Sequence, residues 1–520
     1  MGRDSNPPGR SMRLCAALAK GMTFMNMLFS IPCQRLRCVL TCVFAMFALP
    51  PAFALIDYPG RIDDTFGNYV QNYAGTRLGA SSASLSSIAV QPNGSILIAG
   101  TCTTAAGQSA ICVGRLSASG VPDNTYANAG VFRLTENGIT ESYGGLLAQL
   151  PDGSALVAGT CGTFPAIYPC MVRLTPDGQK DTSFGTNGFV AYVPLVTDVK
   201  AVLLRKSGKL VVLGVCSAAI CIAQFSANGT FEIGFRTTYA SVGGFFPNAI
   251  AEEASNRLVI AGTCSTTAGL RGCAVRYYPL DGISGTTDPL STPYVWNTSE
   301  RSNGSAIAIQ PDGSWLLGGY CEVGAINRFC ALRMKPNGTL DPRFGSNGFA
   351  TFPFTGLDNQ ARAMALQSDG KIQLVGLCRT ATDPDYVNCA MRLEQDGSFD
   401  RSFGFNRDGR ELVVLDSFGA FASTTLLQRD GQLLVGGSAG EMRVFRLRGG
   451  AFGARNCDLD VDGDNIAATE SDLLLAIRAS LGFTGTRVTD GLSFATHATR
   501  KTWPGIRDYL VNQCAMPLLP

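Results

Sequence analysis

The stretch AIAIQPDGSWLLGGYCEVGAINRFCALRMKPNGTLDPRFGSNGF (306–349) decides the fold. Two apolar runs, AIAIQ (306–310) and WLLGGYC (315–321), flank the turn PDG at 311–313, and Asp-Gly between apolar runs is a strong hairpin signal. A loop leads to a third run, CALRM (330–334), which ends at a second turn, PNG (336–338), before the phrase DPRFGSNGF (341–349). Short runs with a turn roughly every 8–12 residues read as an all-β sheet protein.

The unit recurs. Aligned on the turn glycine, seven copies stand at PNG 92–94, PDG 151–153, SG 207–208, SN 255–256, PDG 311–313, DG 369–370 and DG 430–431, spaced 59, 55, 48, 57, 57 and 61 residues apart. Asn256 replaces Gly in the fourth copy, and Asn is the next residue to tolerate a left-handed turn position. Four strands per copy predict the blades of a propeller. The seventh copy ends at VFRLRGG (444–450) without the FG phrase, whereas IDDTFGNYV (62–70) supplies that phrase with no unit before it. The expectation is a seven-bladed β-propeller of four-stranded blades closed by the N-terminal strand, with an open solenoid as competitor.

Six cysteine pairs mark the second and third runs: Cys102 with Cys112, Cys161 with Cys170, Cys216 with Cys221, Cys264 with Cys273, Cys321 with Cys330, and Cys378 with Cys389. Directly opposed positions on neighbouring strands come close enough for disulfides, although thiolate metal binding is a rival reading. In the seventh unit Ser438 is read as the replacement for the first Cys, before the short loop SAGEM. An Arg recurs three residues after the second Cys position, as Arg115, Arg173, Arg276, Arg333, Arg392 and Arg446, with Gln224 in the third unit. Repetition favours an ion pair with the FG-phrase acids Asp181, Asp341 and Asp400 over a basic ring for an anion.

The N-terminus reads as a signal peptide over 1–54: Arg35 and Arg37 precede the apolar run 38–47, and Ala52-Phe53-Ala54 offers a cleavage site. The true start is read at Met25 or Met27. Removal takes six of the 42 basic residues and one of the 40 acidic ones, leaving 36 against 39, with no membrane span expected afterwards. So balanced a charge does not point to nucleic acid. Fourteen of the 18 cysteines remain, an even number suited to an oxidising, periplasmic or extracellular compartment. One histidine, His497, excludes a multi-histidine metal site within the chain.

These units, with the pattern DG-x-hydrophobic-hydrophobic-x-G followed by R-L-x-x-x-G-x-x-D-x-x-FG, resemble the bacterial delta-60 repeat family over about residues 60–447. The resemblance implies an exported β-propeller and no reaction. Residues 55–449 are therefore assigned to the propeller and 450–520 to a small α-helical module.

That module opens with CDLDVDGDNIAATESD (457–472). Asp458, Asp460, Asp462 and Glu470, or in a second register Asp460, Asp462, Asp464 and Asp472, place alternate carboxylates on one turning loop, as calcium requires. With the helix predicted over 473–482 and stopped by Gly482, it resembles a dockerin-type calcium loop. It departs by having one loop where dockerins have two, and an acidic loop without metal is the competing reading. A second helix is expected within 499–514, and a bridge between Cys457 and Cys514 would close the module.

The sequence carries no nucleophile elbow, phosphate loop or dinucleotide fingerprint in context. The second-to-third-strand loops differ (TTAAGQSAI, GTFPAIYP, EVGAINRF, RTATDPDYVN) while the frame repeats. The expectation is a monomeric, non-enzymatic scaffold for a protein or glycan ligand. A glycan lyase or hydrolase, or a purely structural envelope protein, are the alternatives.

Overall fold

The computed structural model of the chain describes residues 58–449, apart from 68–72, 105, 137, 240, 278–292, 297–299, 382–385, 416–421 and 429, together with 461–462, 471–494 and 500–510. The signal segment and its alternative starts lie outside the described residues. In blade 1 the strands Ser82–Val90, Ile96–Thr103, Ser109–Leu116 and Val131–Arg133 pair antiparallel in chain order. The same order recurs at 141–190, 198–237, 244–295, 302–352 and 359–413, which are blades 2 to 6. Blade 7 is composite. Its strands Thr424–Leu427, Leu433–Ser438 and Met442–Leu447 take a fourth from the N-terminal Ala74–Thr76, in the register Ala74↔Val444. First strands of successive blades touch all the way round, that of blade 7 meeting that of blade 1. The ring is closed, and the solenoid is excluded.

The first turn of each blade shows why the Asx-Gly pairs recur. Gly94, Gly153, Gly208, Gly313, Gly370 and Gly431 sit at φ from +80° to +87°, and Asn256 takes the same role at φ +63°. The preceding Asx caps the turn: Asp312 Oδ1 accepts the Ser314 N–H at 2.8 Å, and Asn93 that of Ser95 at 3.0 Å.

Each sheet buries both faces against its neighbours, so its second strand is apolar at consecutive positions rather than at alternate ones. The core is divided among seven seams. Leu156 and Met171 of blade 2 pack with Leu210 and Val212 of blade 3, for example, and Leu434 and Val444 of blade 7 with Ile96 and Ile98 of blade 1.

All six cysteine pairs lie at disulfide distance: Cys102 with Cys112, Cys161 with Cys170, Cys216 with Cys221, Cys264 with Cys273, Cys321 with Cys330, and Cys378 with Cys389. Their Cα atoms are 5.8–5.9 Å apart. The expected direct opposition is corrected, because every pair is diagonal. Cys112 faces Gly100, while Cys102 faces Ala110. In the same way Cys170 faces Gly159, Cys221 faces Gly214, and Cys273 faces Gly262. Cys330 faces Gly319 and Cys389 faces Gly376. The facing glycine is fixed by the strand behind it, since a Cβ at Gly100 would strike the Ser84 carbonyl. With no side chain opposite, the second cysteine reaches along the twisted ladder to the next position. The pairs also join the core between blades, as Cys216 and Cys221 do in the blade 2/3 seam.

Blade 7 corrects the assignment of Ser438. Gly437 pairs with Arg443, so Gly437 occupies the glycine position, Ala439 that of the first Cys, and Arg443 that of the second. Ser438 belongs to the adjacent threonine position. Its Oγ accepts the Leu85 N–H of blade 1 at 2.7 Å. In the blade 6/7 seam Arg443 lies over Tyr73 at 4.7 Å and pairs with Glu441 at 3.1 Å, beside a cavity of about 20 Å³ lined by Ala422, Gly437 and Ala439.

Beyond the ring, helices at Asp472–Ser480, Thr486–Thr489 and Trp503–Asp508 share a separate small core of Val461, Leu475, Ala479, Val488, Ile506 and Leu510. Gly482, at φ +83°, stops the first helix as expected, and the last lies within the stretch expected to be helical. Cys457 and Cys514 lie outside the described residues.

The twelve ring cysteines should yield no thiol on titration before reduction. Replacing Cys102 and Cys112 together with Ala should lower unfolding stability by about 2–3 kcal/mol, read from denaturant melts, because each bridge closes a short loop of the unfolded chain.

Candidate functional site

The ring has two faces. The turn face carries the first-to-second and third-to-fourth strand connections, and the hairpin face carries the cysteine-bearing hairpins and the entry of each first strand.

The recurrent arginines stand on the turn face, each within a latch between blades. Arg333 of blade 5 pairs with Asp341 at 2.8 Å, lies over Phe344 at 5.4 Å, and donates Nη1 to the Gln395 carbonyl of blade 6 at 2.5 Å. The fully buried Phe344 ring lies under the blade 6 turn at Gly397, whose Cβ would meet it at 2.8 Å. The Gly345 N–H completes the grip on the Asp396 carbonyl at 2.8 Å. Arg446, Asp63 and Phe66 grip 118–120 of blade 1 in the same way, with Asp63 contributed by the N-terminal segment. Arg115, Asp123 and Tyr126 grip blade 2, and Arg173, Asp181 and Phe184 grip blade 3. Arg392, Asp400 and Phe403 bind blade 7 through Gly449 and Pro59. The guanidinium groups are committed to the frame, so the structural reading of the arginine ring holds.

Two seams use substitutes. In blade 3, Gln224 holds the arginine position and Arg205 stands where blades 1, 5, 6 and 7 have Gln91, Gln310, Gln367 and Gln428. The two residue types have changed places. Buried Arg205 donates to Gln224 Oε1 at 2.7 Å, to Glu252 of blade 4 at 2.8 Å and to the Asn256 carbonyl at 2.9 Å. Glu232 stands eight residues after Gln224, the same spacing as Arg333 to Asp341, and accepts from its amide at 3.0 Å. Between blades 4 and 5, Arg276 reaches the Pro336 carbonyl at 2.6 Å while Glu253 accepts from Trp315 Nε1 at 2.6 Å. Matching the arginine position by residue type finds Arg276 but neither Glu253 nor Arg205, although the exchange at 205 and 224 is visible on counting from the turn.

The latch carboxylates are held ionised. The Arg343 hydrogen bond, helped by the Arg333 and Arg343 charges, brings Asp341 down to about 2. For Asp63 and Asp400 burial pushes upward, but hydrogen bonds from Thr65 and Ser402 with the charges of Arg446 and Arg392 prevail, and both are lowered. Asp123 and Asp181 are lowered chiefly by the Thr125 and Ser183 hydroxyls.

The hairpin face breaks this symmetry. Blades 1 to 6 each carry a β-bulge in the first strand, opposite the buried glycine of the second. The bulged residues are Ser86, Gly145, Lys200, Asn248, Ser305 and Arg362. In blades 1, 4 and 5 the side chain is bound to the next blade: Ser86 donates to the Gly144 carbonyl, Asn248 to that of Gly304 and Ser305 to that of Ala361, at 3.3, 2.9 and 3.0 Å. Blades 3 and 6 differ, each placing a cation on the innermost strand. Lys200 pairs with exposed Asp198 at 2.6 Å, and Arg362 donates to Gln360 Oε1 at 2.6 Å and lies 6.0 Å from the Tyr320 ring. Gln360 in turn donates to Asp358 at 3.1 Å, and Tyr386 donates to the same carboxylate. Burial, then that bond, pushes the Tyr386 hydroxyl up. Two positions before the bulge, Tyr143 and Phe246 are 38% and 40% exposed on inner strands, where the channel or its mouth is the available solvent.

Of the acids expected to hold a metal, Asp462 and Asp472 are described. Both are 1% exposed, and Asp472 Oδ1 accepts the Asp462 N–H at 2.8 Å. Asp458, Asp460, Asp464 and Glu470 lie outside the described residues.

A family model described as a domain of unknown function (DUF5122) beta-propeller matches residues 91–126, 150–184, 310–344 and 367–403, in blades 1, 2, 5 and 6. Each segment spans the turn, the cysteine-bearing strands and the latch phrase. No curated protein sequence matches the chain. Among solved structures, the polysaccharide lyase Uly1 is 9% identical, covering 70% of this chain and 89% of its own, with a TM-score of 0.43. Drosophila Plexin A, in complex with Semaphorin 1b, is 8% identical (72% and 86%, TM-score 0.40). Penicillium chrysogenum α-L-arabinanase, complexed with arabinobiose, is 11% identical (58% and 92%, TM-score 0.36). At such values the likenesses bear on neither activity nor ligand.

Arg392→Ala should cost about 3–5 kcal/mol, since it leaves Asp400 buried beside Lys371 alone. Arg205→Gln should destabilise similarly, and adding Gln224→Arg should recover part of the loss by pairing with Glu232. A double variant no more stable than the single one would contradict the exchange. Because the latch carboxylates titrate lower folded than unfolded, the unfolded chain binds more protons on acidification. Their contribution is complete above the unfolded value of about 4 and is lost as pH falls through the folded values, toward about 2 for Asp341. Melts from pH 6 to pH 2 should show this loss, with a shallower slope in Asp341→Asn.

Proposed function

We propose that this chain is an exported, non-enzymatic β-propeller that recognises a glycan or protein ligand at the channel mouth of its hairpin face. The observation that carries the reading is the contrast between faces. The turn face spends the same side chains on the same latch at five seams, whereas the hairpin face varies and leaves Tyr143, Phe246 and Arg362 toward solvent. Binding sites on rigid scaffolds sit where the frame is constant and the projecting groups are not. Export is supported by the signal-like N-terminus and the six cysteine pairs at bonding distance, and among the described residues no helix is long and apolar enough to cross a membrane. The protein acts as a monomer.

The C-terminal residues add a calcium site built from Asp458, Asp460, Asp462, Asp464, Glu470 and Asp472. Asp462 and Asp472 fit this role in part, because both are withdrawn from water and the Asp472 carboxylate is turned to the Asp462 N–H, which ties the loop to the helix start. Calcium there would supply structural cohesion, fixing the loop to the first C-terminal helix.

Mature protein applied to glycan and protein arrays should give saturable binding without turnover of the captured ligand. Turnover would favour a propeller enzyme, and no saturable ligand would favour a purely structural role. Millimolar calcium should slow amide exchange over 471–494 of the intact chain, and Asp462→Asn with Asp472→Asn should abolish the effect. Unchanged exchange in the wild type would remove the calcium site.

A further inference from the structure

Resting on the reading that the hairpin face binds, we infer that the ligand is an acidic saccharide whose carboxylate is received by Arg362, with Lys200 as the second cation of the channel mouth. Both residues occupy the bulged position, eight before the turn glycine, which reads Ser, Gly, Lys, Asn, Ser, Arg through blades 1 to 6. A bulged residue has no ladder partner, so its backbone is held by its neighbours while its side chain leaves the sheet. The frame uses this position for short groups that bond the next blade. A long cation there serves no such bond.

Arg362 differs from the latch arginines. The latch arginines each have a carboxylate at hand, but Arg362 has none within ion-pair distance among the described residues. Its Nη2 is spent on an amide oxygen, which orients the guanidinium without neutralising it. The nearby acid, Asp358, is engaged by Tyr386, Gln360 and the Asn327 N–H, so it competes poorly for the charge. What remains is an oriented, exposed fork whose geometry matches a carboxylate with two oxygens. Lys200 stands three blades away, on the other side of the ring, and its exposed pair with Asp198 is weak enough for a ligand to replace.

The neighbouring groups select the saccharide. Exposed Tyr143 and Phe246 offer flat faces to the C–H surface of a sugar ring from blades 2 and 4. At the same level in blades 5 and 6, Asn303 and Gln360 are committed to the frame, Asn303 between Thr263 and Ser305 and Gln360 between Asp358 and Arg362, so the polar contact with the ligand falls to the cations. Aromatic faces with separated cations around one mouth fit a polymer that repeats sugar rings and carboxylates along its length.

The test is calorimetric titration of the mature chain with oligomers of galacturonate, glucuronate and mannuronate, and with their methyl esters. At least one acid should bind saturably, and its ester about thirtyfold more weakly. Arg362→Gln should weaken the acid to the level of the ester without changing the melting temperature, and Arg362→Lys should restore part of the affinity. Failure of all three acids, equal binding of acid and ester, or wild-type affinity in Arg362→Gln would overturn the inference. A neutral glycan or a protein captured on the arrays and indifferent to Arg362→Gln would overturn it while leaving the binding role intact.

Discussion

A four-stranded sheet that is apolar on both faces is insoluble alone, so each blade depends on the two seams that cover it. Apolar contact supplies most of the attraction, but it is non-directional and does not fix how far one blade slides over the next. The latch does. Its arginine is neutralised by an acid of its own blade, stacked on an aromatic of its own blade, and aimed at one carbonyl of the next. Burying that charge is tolerable because each part is paired, and the pairing sets the relative height of the two sheets. Five of seven seams share the paired and aimed arginine, four of them with the stacked ring, and the other two rebuild the pairing from Arg205 with Glu252 and from Arg276 with Glu253.

Closure places a special demand on the last seams. Blade 7 must be assembled from both ends of the propeller segment, and the latch into blade 1 needs Asp63 and Phe66 from the N-terminal side to meet Arg446 from the C-terminal side. The 7/1 seam therefore forms fully when the ring shuts. The adjoining 6/7 seam is also the one without a cysteine pair. There a guanidinium over Tyr73 fills the place of the staple less completely, as the small cavity beside Ala439 records. A short hairpin such as SAGEM loses little entropy on folding, so a disulfide across it would add less than across the longer hairpins.

The repeat, the turns and the source of the closing strand are legible in the sequence because they rest on local rules. Gly or Asn at a left-handed turn and an unmatched phrase at each end of an array need no knowledge of neighbours. Asn256 is the clearest instance, its φ of +63° matching the substitution that announces it. What depends on register is not legible. Residue type alone points to Ser438 as the missing cysteine, whereas counting eight residues from Gly431 gives Ala439. The cysteine pairs show both sides of this divide. That Cys170 belongs with Cys161, or Cys389 with Cys378, follows from their place in the repeat, but their diagonal geometry does not. That geometry and the bulges follow from sheet twist and from a carbonyl pressed against a glycine, which no single strand reveals. The channel cations stay hidden for the same reason, since Lys200 and Arg362 become exceptional only when the bulge aligns them with Ser86, Asn248 and Ser305.

That alignment separates frame from function in a repeat protein. A side chain required by the seam is required at every seam, so the latch recurs and its replacements compensate one another. A side chain required by a ligand has no reason to recur, because the ligand does not share the sevenfold symmetry of the ring. Positions whose neighbours serve the frame but which themselves do not, as Arg362 does not, are therefore where recognition can be added without loosening the ring. The hairpin face can vary because the turn face does not.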